Sequence, residues 1–294
     1  MATTVKEQGY IDVGPGRVWY ESAGEGPRTL LLLHGGPGAD SSTLAQFLDL
    51  ADLGYRVVRY NQLGSYLSDL PDDDSQWQVP RFVAEVETVR QTLNLGTMHL
   101  FGQSWGSFLA LEYALHHGDK LKSLTLASGA ASTRQCVDGM NRWRLDLPVA
   151  TQEMMARCEA AEDYTNHEYA AAVETLYRRH LCRLWPYPEV LAQAMTQMSA
   201  PVYNSMWGPN EFTCTGTLMS WERRDRLHEI DVPTLITCGE FDEVHPDCSR
   251  TMHEGIRGSE LVIFEGCSHL ADLEQPELYR KTFLRFLDRV EHAG

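Results

Sequence analysis

Met98-His99-Leu100-Phe101-Gly102-Gln103-Ser104-Trp105-Gly106 is the stretch whose reading decides the fold. It begins as a short apolar run, passes through G-x-S-x-G, and continues with helical character from Trp105 to His116. A strand that turns directly into a helix through a serine flanked by glycines has a mechanical reading. The glycines let the backbone pass close to neighbouring elements. The turn holds the serine hydroxyl clear of the sheet at a helix N-terminus, where positive partial charge favours a developing anion. Ser104 is therefore the candidate nucleophile.

Working outward, Thr29 to Leu33, Tyr55 to Tyr60, Leu121 to Ala127, Pro233 to Cys238 and Glu260 to Phe264 are similar short apolar runs. Such runs suit parallel strands buried on both faces. Tyr10 to Ser22 alternates around a Gly-Pro-Gly turn and reads as a hairpin. Between the runs, Val79 to Leu93 places Phe82, Val86, Val89 and Leu93 on one helical face, and Pro276 to Val290 forms a last helix. The alternation predicts an α/β fold, a mostly parallel sheet with helices on both faces. It fails between about Ser132 and Gly216, where helical spacing is broken by Pro186, Pro188, Pro201 and Pro209. The expected organisation is a core domain of residues 1–131 and 217–294 with an inserted helical cap of residues 132–216. Trp185, Tyr187, Tyr203, Trp207 and Trp221 either line a pocket or form the core of that cap.

An activated serine needs a base, and the base an orienting acid, in the chain order Ser, Asp or Glu, His. His245, His253, His269 and His292 follow a plausible acid. His245 is too near that acid in sequence, His253 falls in a predicted helix and His292 in the tail. His269 follows the last strand, at the carboxyl edge where open parallel sheets bind ligands. The acid should end the run Pro233 to Cys238. Glu240 and Asp242 both qualify by chemistry, and Asp242, further into the loop, has the better reach. The glycines of His34-Gly35-Gly36-Pro37-Gly38, after the first buried run, point to Gly36 N–H as one oxyanion donor, with Trp105 N–H as the second. His34 itself reads as a structural loop histidine.

His34 to Gly38, Gly102 to Gly106, Gly239-Glu240-Phe241-Asp242-Glu243 and Cys267-Ser268-His269 together resemble the proline iminopeptidase family of α/β-hydrolases. The likeness spans nearly the whole core and includes Met206 to Phe212 at the cap boundary. It implies the α/β-hydrolase fold and cleavage of an N-terminal aminoacyl amide through an acyl-enzyme. It also implies two carboxylates holding the substrate's free α-amine, which fall by motif on Glu211 and Glu243. Relatives with this architecture include amino-acid amidases and enzymes that remove an aminoacyl group from natural-product amides. A general esterase with the same three residues would not need the two glutamates. A non-catalytic receptor of this fold would need neither those three nor the oxyanion glycines. The chain departs from the family at Asn61-Gln62-Leu63-Gly64-Ser65-Tyr66-Leu67-Ser68, with Asn61 for Asp and Tyr66 for the second Gly, and at Ser107 for Gly. These changes are expected to put a bulkier side chain near the oxyanion side.

Bulk properties fit this reading. The chain has 294 residues, 43% hydrophobic and 22% charged, enough for a large globular core. A formal net charge of -16 argues against nucleic acid or an anionic membrane as partner and suits a small-molecule or peptide substrate with a free amine. Seven scattered cysteines without CxxC pairing suit free thiols, and with a beginning that lacks a signal-like core they lead us to expect the cytoplasm. No H-E-x-x-H spacing suggests a metal, and the chemistry calls for no cofactor.

Overall fold

The computed structural model describes residues 5–292. Residues 1–4 and 293–294, which belong to the stretches expected to begin and end the core domain, lie outside them. Eight strands form one sheet: β1 (Val5–Asp12), β2 (Arg17–Ala23), β3 (Arg28–Leu33), β4 (Tyr55–Tyr60), β5 (Met98–Gln103), β6 (Leu121–Ala127), β7 (Thr234–Gly239) and β8 (Glu260–Phe264). Their order is β1-β2-β4-β3-β5-β6-β7-β8. The β1–β2 and β2–β4 pairs are antiparallel, and the rest are parallel. The hairpin begins at Val5, before the expected Tyr10, because the polar start of the edge strand still pairs with Glu21 to Ala23. β7 begins and ends one residue later than the expected run Pro233 to Cys238.

The run at Thr29 to Leu33 shows why a buried parallel strand loses its alternation. Leu31 and Leu33 enter one core, shared with Val86 and Val89 of α1 (Val79–Thr92) and Leu109 of α2 (Trp105–His117). Leu30 and Leu32 enter the other, shared with Phe47, Phe101, and Phe283 and Leu287 of the last helix, Pro276–His292. Residues Ser42–Leu53, which lie outside the elements expected from the sequence, wind as a 3-10 segment that buries Leu44, Phe47, Leu48 and Leu50.

Between β6 and β7 the chain forms α3 (Thr133–Arg144), α4 (Val149–Ala160), α5 (His167–His180), α6 (Glu189–Gln197) and α7 (Ala200–Met206). The two ends of this excursion meet in a bridge between Ser132 and Glu222. Next to it, Glu112 of α2 accepts from Arg223 at 2.7 and 3.1 Å and from the Trp221 indole at 3.0 Å, tying the exit of the helical excursion to the helix that follows Ser104. After β3 the chain moves outward to β4, then returns to the other side of β3 as β5. The loops after β3 and β5 therefore flank the point where the strand order reverses, the place where such sheets open a crevice.

Candidate active site

Ser104 caps α2 at φ 57° and ψ -124°, a left-handed conformation that costs a non-glycine residue about 1–3 kcal/mol. Neighbouring backbone holds it there. The Ser104 N–H donates to Ala127 O at 2.9 Å, and Ser104 O accepts from Ser107 N–H at 2.8 Å. A Cβ on Gly102 would lie 2.0 Å from Gly106 O, and one on Gly106 2.2 Å from Leu33 O, so both glycines are required by close approach. Ser107, at the family's glycine position, fits because Gly129 opposite it has no side chain; a Cβ there would lie 2.0 Å from Ser107 Oγ.

The loop after β3 runs along the same serine. A Cβ on Gly35 would lie 3.0 Å from Ser104 Cβ, and Gly36 has φ 111°, a conformation that glycine supplies. His34 is the brace of this loop. Burial lowers its pKa to about 4, so the ring is neutral; Nε2 accepts from Gln62 N–H at 2.9 Å and Nδ1 donates to Gly35 O at 2.8 Å. The Gln62 side chain donates to His34 O at 3.1 Å and accepts from the Trp105 indole at 2.8 Å, linking the two halves of the expected oxyanion site. The N–H groups in the first turn of α2, Trp105 among them, have no partners within the helix. Tyr66 is not beside this site: it is half-exposed and lines neither cavity described below. Its loop is held instead through Asn61, whose Oδ1 accepts from Ser41 N–H and Oγ at 3.0 and 2.7 Å.

On the opposite side, His269 Nδ1 meets Asp242 Oδ1 at 2.7 Å, and that oxygen also accepts from Val244 N–H at 2.9 Å. Glu240 points elsewhere, accepting from Gly266 N–H at 3.0 Å. His245 caps α8 (Pro246–Gly255), His253 lies on that helix and His292 in the last turn of the final helix. Glu243 Oε1 stands 3.5 Å from His269 Nε2, and its buried Oε2 has no hydrogen-bond partner. Burial pushes Glu243 up to about 8, with Glu211 and Asp242 adding to the effect and His269 opposing it. Burial raises Glu211 as well, against the Tyr203 hydroxyl beside it. For His269 burial acts the other way, but Asp242, Glu243 and Glu211 together outweigh it and hold the imidazole up to about 10.

Two cavities meet at Ser104. The larger, about 110 Å³, brings together Gly36, Ser104, Glu211, Glu243 and His269. The inner one, about 20 Å³, also reaches Gly36, Ser104 and Glu211, and is walled by Trp105, Phe108, Met140, Trp207 and Leu218. Of the aromatic residues singled out above, Trp207 thus faces a cavity. Trp221 packs on Phe108, with ring centroids 4.8 Å apart, while Trp185 is exposed.

His180, at the end of α5, carried no sequence signal, yet it joins both loops. Its carbonyl accepts from Glu243 N–H at 3.1 Å and from His269 N–H at 3.0 Å. Its ring Nδ1 donates to Phe241 O at 2.9 Å and stacks on Trp143, centroids 4.5 Å apart. The Trp143 indole in turn donates to Asp242 O at 2.8 Å. His180 is a positioning residue. Replacing it with Phe, which keeps the stack and loses the donor, is expected to lower kcat on the order of 10-fold with KM nearly unchanged. His180→Asn, whose amide can donate from the Nδ1 position, should recover much of it. Equal KM and kcat losses in both variants, tracking a lower Tm, would reduce the residue to a fold role.

Comparison with known proteins agrees with this architecture. Residues 28–276 match the family described as alpha/beta hydrolase fold. Proline iminopeptidase of Saccharolobus solfataricus is 37% identical over 90% of this chain and 86% of its own length. That of Heyndrickxia coagulans is 36% identical over 96% and 99%. Among solved structures, proline iminopeptidase of Mycobacterium smegmatis superposes with a TM-score of 0.91 at 34% identity, covering 98% of this chain and 99% of that one. VinJ superposes with a TM-score of 0.93 at 33% identity, covering 98% and 100%. The matched fold family and the overall similarity in sequence and structure thus agree: the chain belongs to the proline iminopeptidase family of α/β-hydrolases.

Proposed function

We propose that the protein hydrolyses the amide joining an amino acid with a free α-amine to a leaving amine. The observation that carries this reading is the pair Glu211 and Glu243, two carboxylates lining one cavity with Ser104 and His269. Buried negative groups are costly unless countered. A substrate ammonium brings three donors and a positive charge, and Glu243 Oε2 is a free acceptor for it. The inner cavity has room for about one water-sized group, which favours a compact first side chain. Residues 132–216 serve as the cap that brings Glu211 over the serine.

In this mechanism Ser104 Oγ adds to the substrate carbonyl while His269 Nε2 takes its proton. The oxyanion forms against the N–H groups of Gly36 and Trp105. The C–N bond breaks as His269 returns the proton to the leaving nitrogen. A water molecule, deprotonated by His269, then adds to the ester and releases the free amino acid, and Ser104 recovers its proton. No cofactor takes part.

The pKa directions give the ammonium a second role. The carboxylates around His269 favour its charged form, the one with no lone pair for the Ser104 proton. A cation between Glu211 and Glu243 offsets the charge that holds the imidazole up, so His269 loses its proton more readily once substrate is bound. Acetylating the substrate amine removes both effects. Alanine and proline p-nitroanilides should therefore exceed their N-acetyl forms in kcat/KM by about 10²-fold or more. Equal turnover of blocked and free forms would overturn this reading.

A further inference from the structure

We infer that the leaving amine taken by this site is apolar and bears no carboxylate next to its nitrogen: an alkyl, aryl or amidated peptide amine, not the free C-terminal residue of a dipeptide. The inference rests on the function proposed above and names its substrate class. The direction of the leaving group follows from proton transfer. His269, which must protonate the departing nitrogen, lies on the wall of the larger cavity and not of the inner one. The inner cavity, enclosed by Phe108, Met140, Trp207 and Leu218, is left for the side chain of the first residue.

Beyond the reacting centre, the larger cavity is walled by Leu181, Leu191, Ala194, Met195, Met198 and Leu270. Its charged lining is Asp40, Glu211, Glu243 and His269, and no Lys or Arg is among the lining residues. Asp242 and the proton transfers occupy His269, so it does not serve as a counter-ion. The carboxylate of a free dipeptide lies two bonds from the scissile nitrogen. It would leave water for a space that holds three acidic side chains and offers no cation in return. An uncharged chain instead moves onto leucine and methionine, the latter able to adapt to irregular shapes. The net charge of -16 further disfavours the approach of anions.

The test uses the full-length enzyme with alanyl-leucine, alanyl-leucinamide and a series of alanine n-alkylamides from ethyl to octyl. The leucinamide should exceed the free acid in kcat/KM by about tenfold or more. The alkyl series should rise about two- to fourfold per methylene until the cavity is filled. Met195→Lys should narrow the gap between amide and acid, while Met195→Gln, polar but uncharged, should not. Equal turnover of acid and amide, or a flat alkyl series, would overturn the inference. If no unblocked amide is turned over at all, the proposed function fails and takes the inference with it.

Discussion

Ser104→Ala is expected to lower kcat by a factor on the order of 10⁴ to 10⁶ while leaving the fold intact. The size follows from the step that is lost. Without Oγ there is no acyl-enzyme, and what remains is direct attack by water under the oxyanion donors. The fold should survive because the turn is held by groups that alanine keeps. The left-handed φ of 57° is as strained for Ala as for Ser, and the bonds to Ala127 O and from Ser107 N–H are backbone bonds. Thermal denaturation should shift by no more than about 2–4 °C, the scale of 1 kcal/mol in a chain of this size. Ser107→Ala is the control, since that buried hydroxyl has no hydrogen-bond partner and faces Gly129. A serine-directed phosphonate should add its mass to the wild type and to Ser107→Ala but not to Ser104→Ala. Substantial activity in Ser104→Ala would remove the nucleophile assignment and every step built on it.

Much of this site was legible in the sequence, because its residues sit at the carboxyl ends of strands that announce themselves. β5, β7 and β8 are parallel, so the loops that follow them emerge at one edge of the sheet, and Ser104, Asp242 and His269 lie on those loops. Reach along the loop favours Asp242 over Glu240 in the sequence, and in the structure the first meets His269 while the second meets Gly266. Tyr66 shows the opposite failure. A bulky residue at a family glycine suggested a changed site, but loop direction decides where a side chain goes, and this one goes to solvent. His180 was invisible because half of its work is done by a backbone carbonyl, which any residue has. The 3-10 segment Ser42–Leu53 escaped notice for a related reason. The Ser41 side chain at its N-cap makes no capping hydrogen bond, and tertiary burial of Leu44, Phe47, Leu48 and Leu50 holds it in place.

Asp242→Asn should cost on the order of 10³- to 10⁴-fold in kcat/KM at neutral pH. Oδ1 accepts two hydrogen bonds, from His269 Nδ1 and Val244 N–H, while Oδ2 is buried and unpartnered. An asparagine has two ways to sit there. With its oxygen at the Oδ1 position it keeps both bonds but loses the negative charge that stabilises the imidazolium, and it buries an amide N–H₂ without an acceptor. With the amide turned over, the N–H₂ faces two donors, and His269 is driven to the tautomer that cannot take the Ser104 proton. Either arrangement impairs the base. The pH profile separates this from simple misfolding. Asp242 is one of the groups that hold His269 up to about 10, so its neutralisation lets the imidazole lose its proton at lower pH. The acid limb of the residual kcat/KM profile should therefore move toward lower pH, a shift that a loss of folded protein would not produce. Glu240→Gln, altering a side chain that meets only Gly266 N–H, should change activity by less than about threefold. If Glu240→Gln proved the more damaging substitution, the acid would have to be reassigned to Glu240, and the contact at 2.7 Å would be structural.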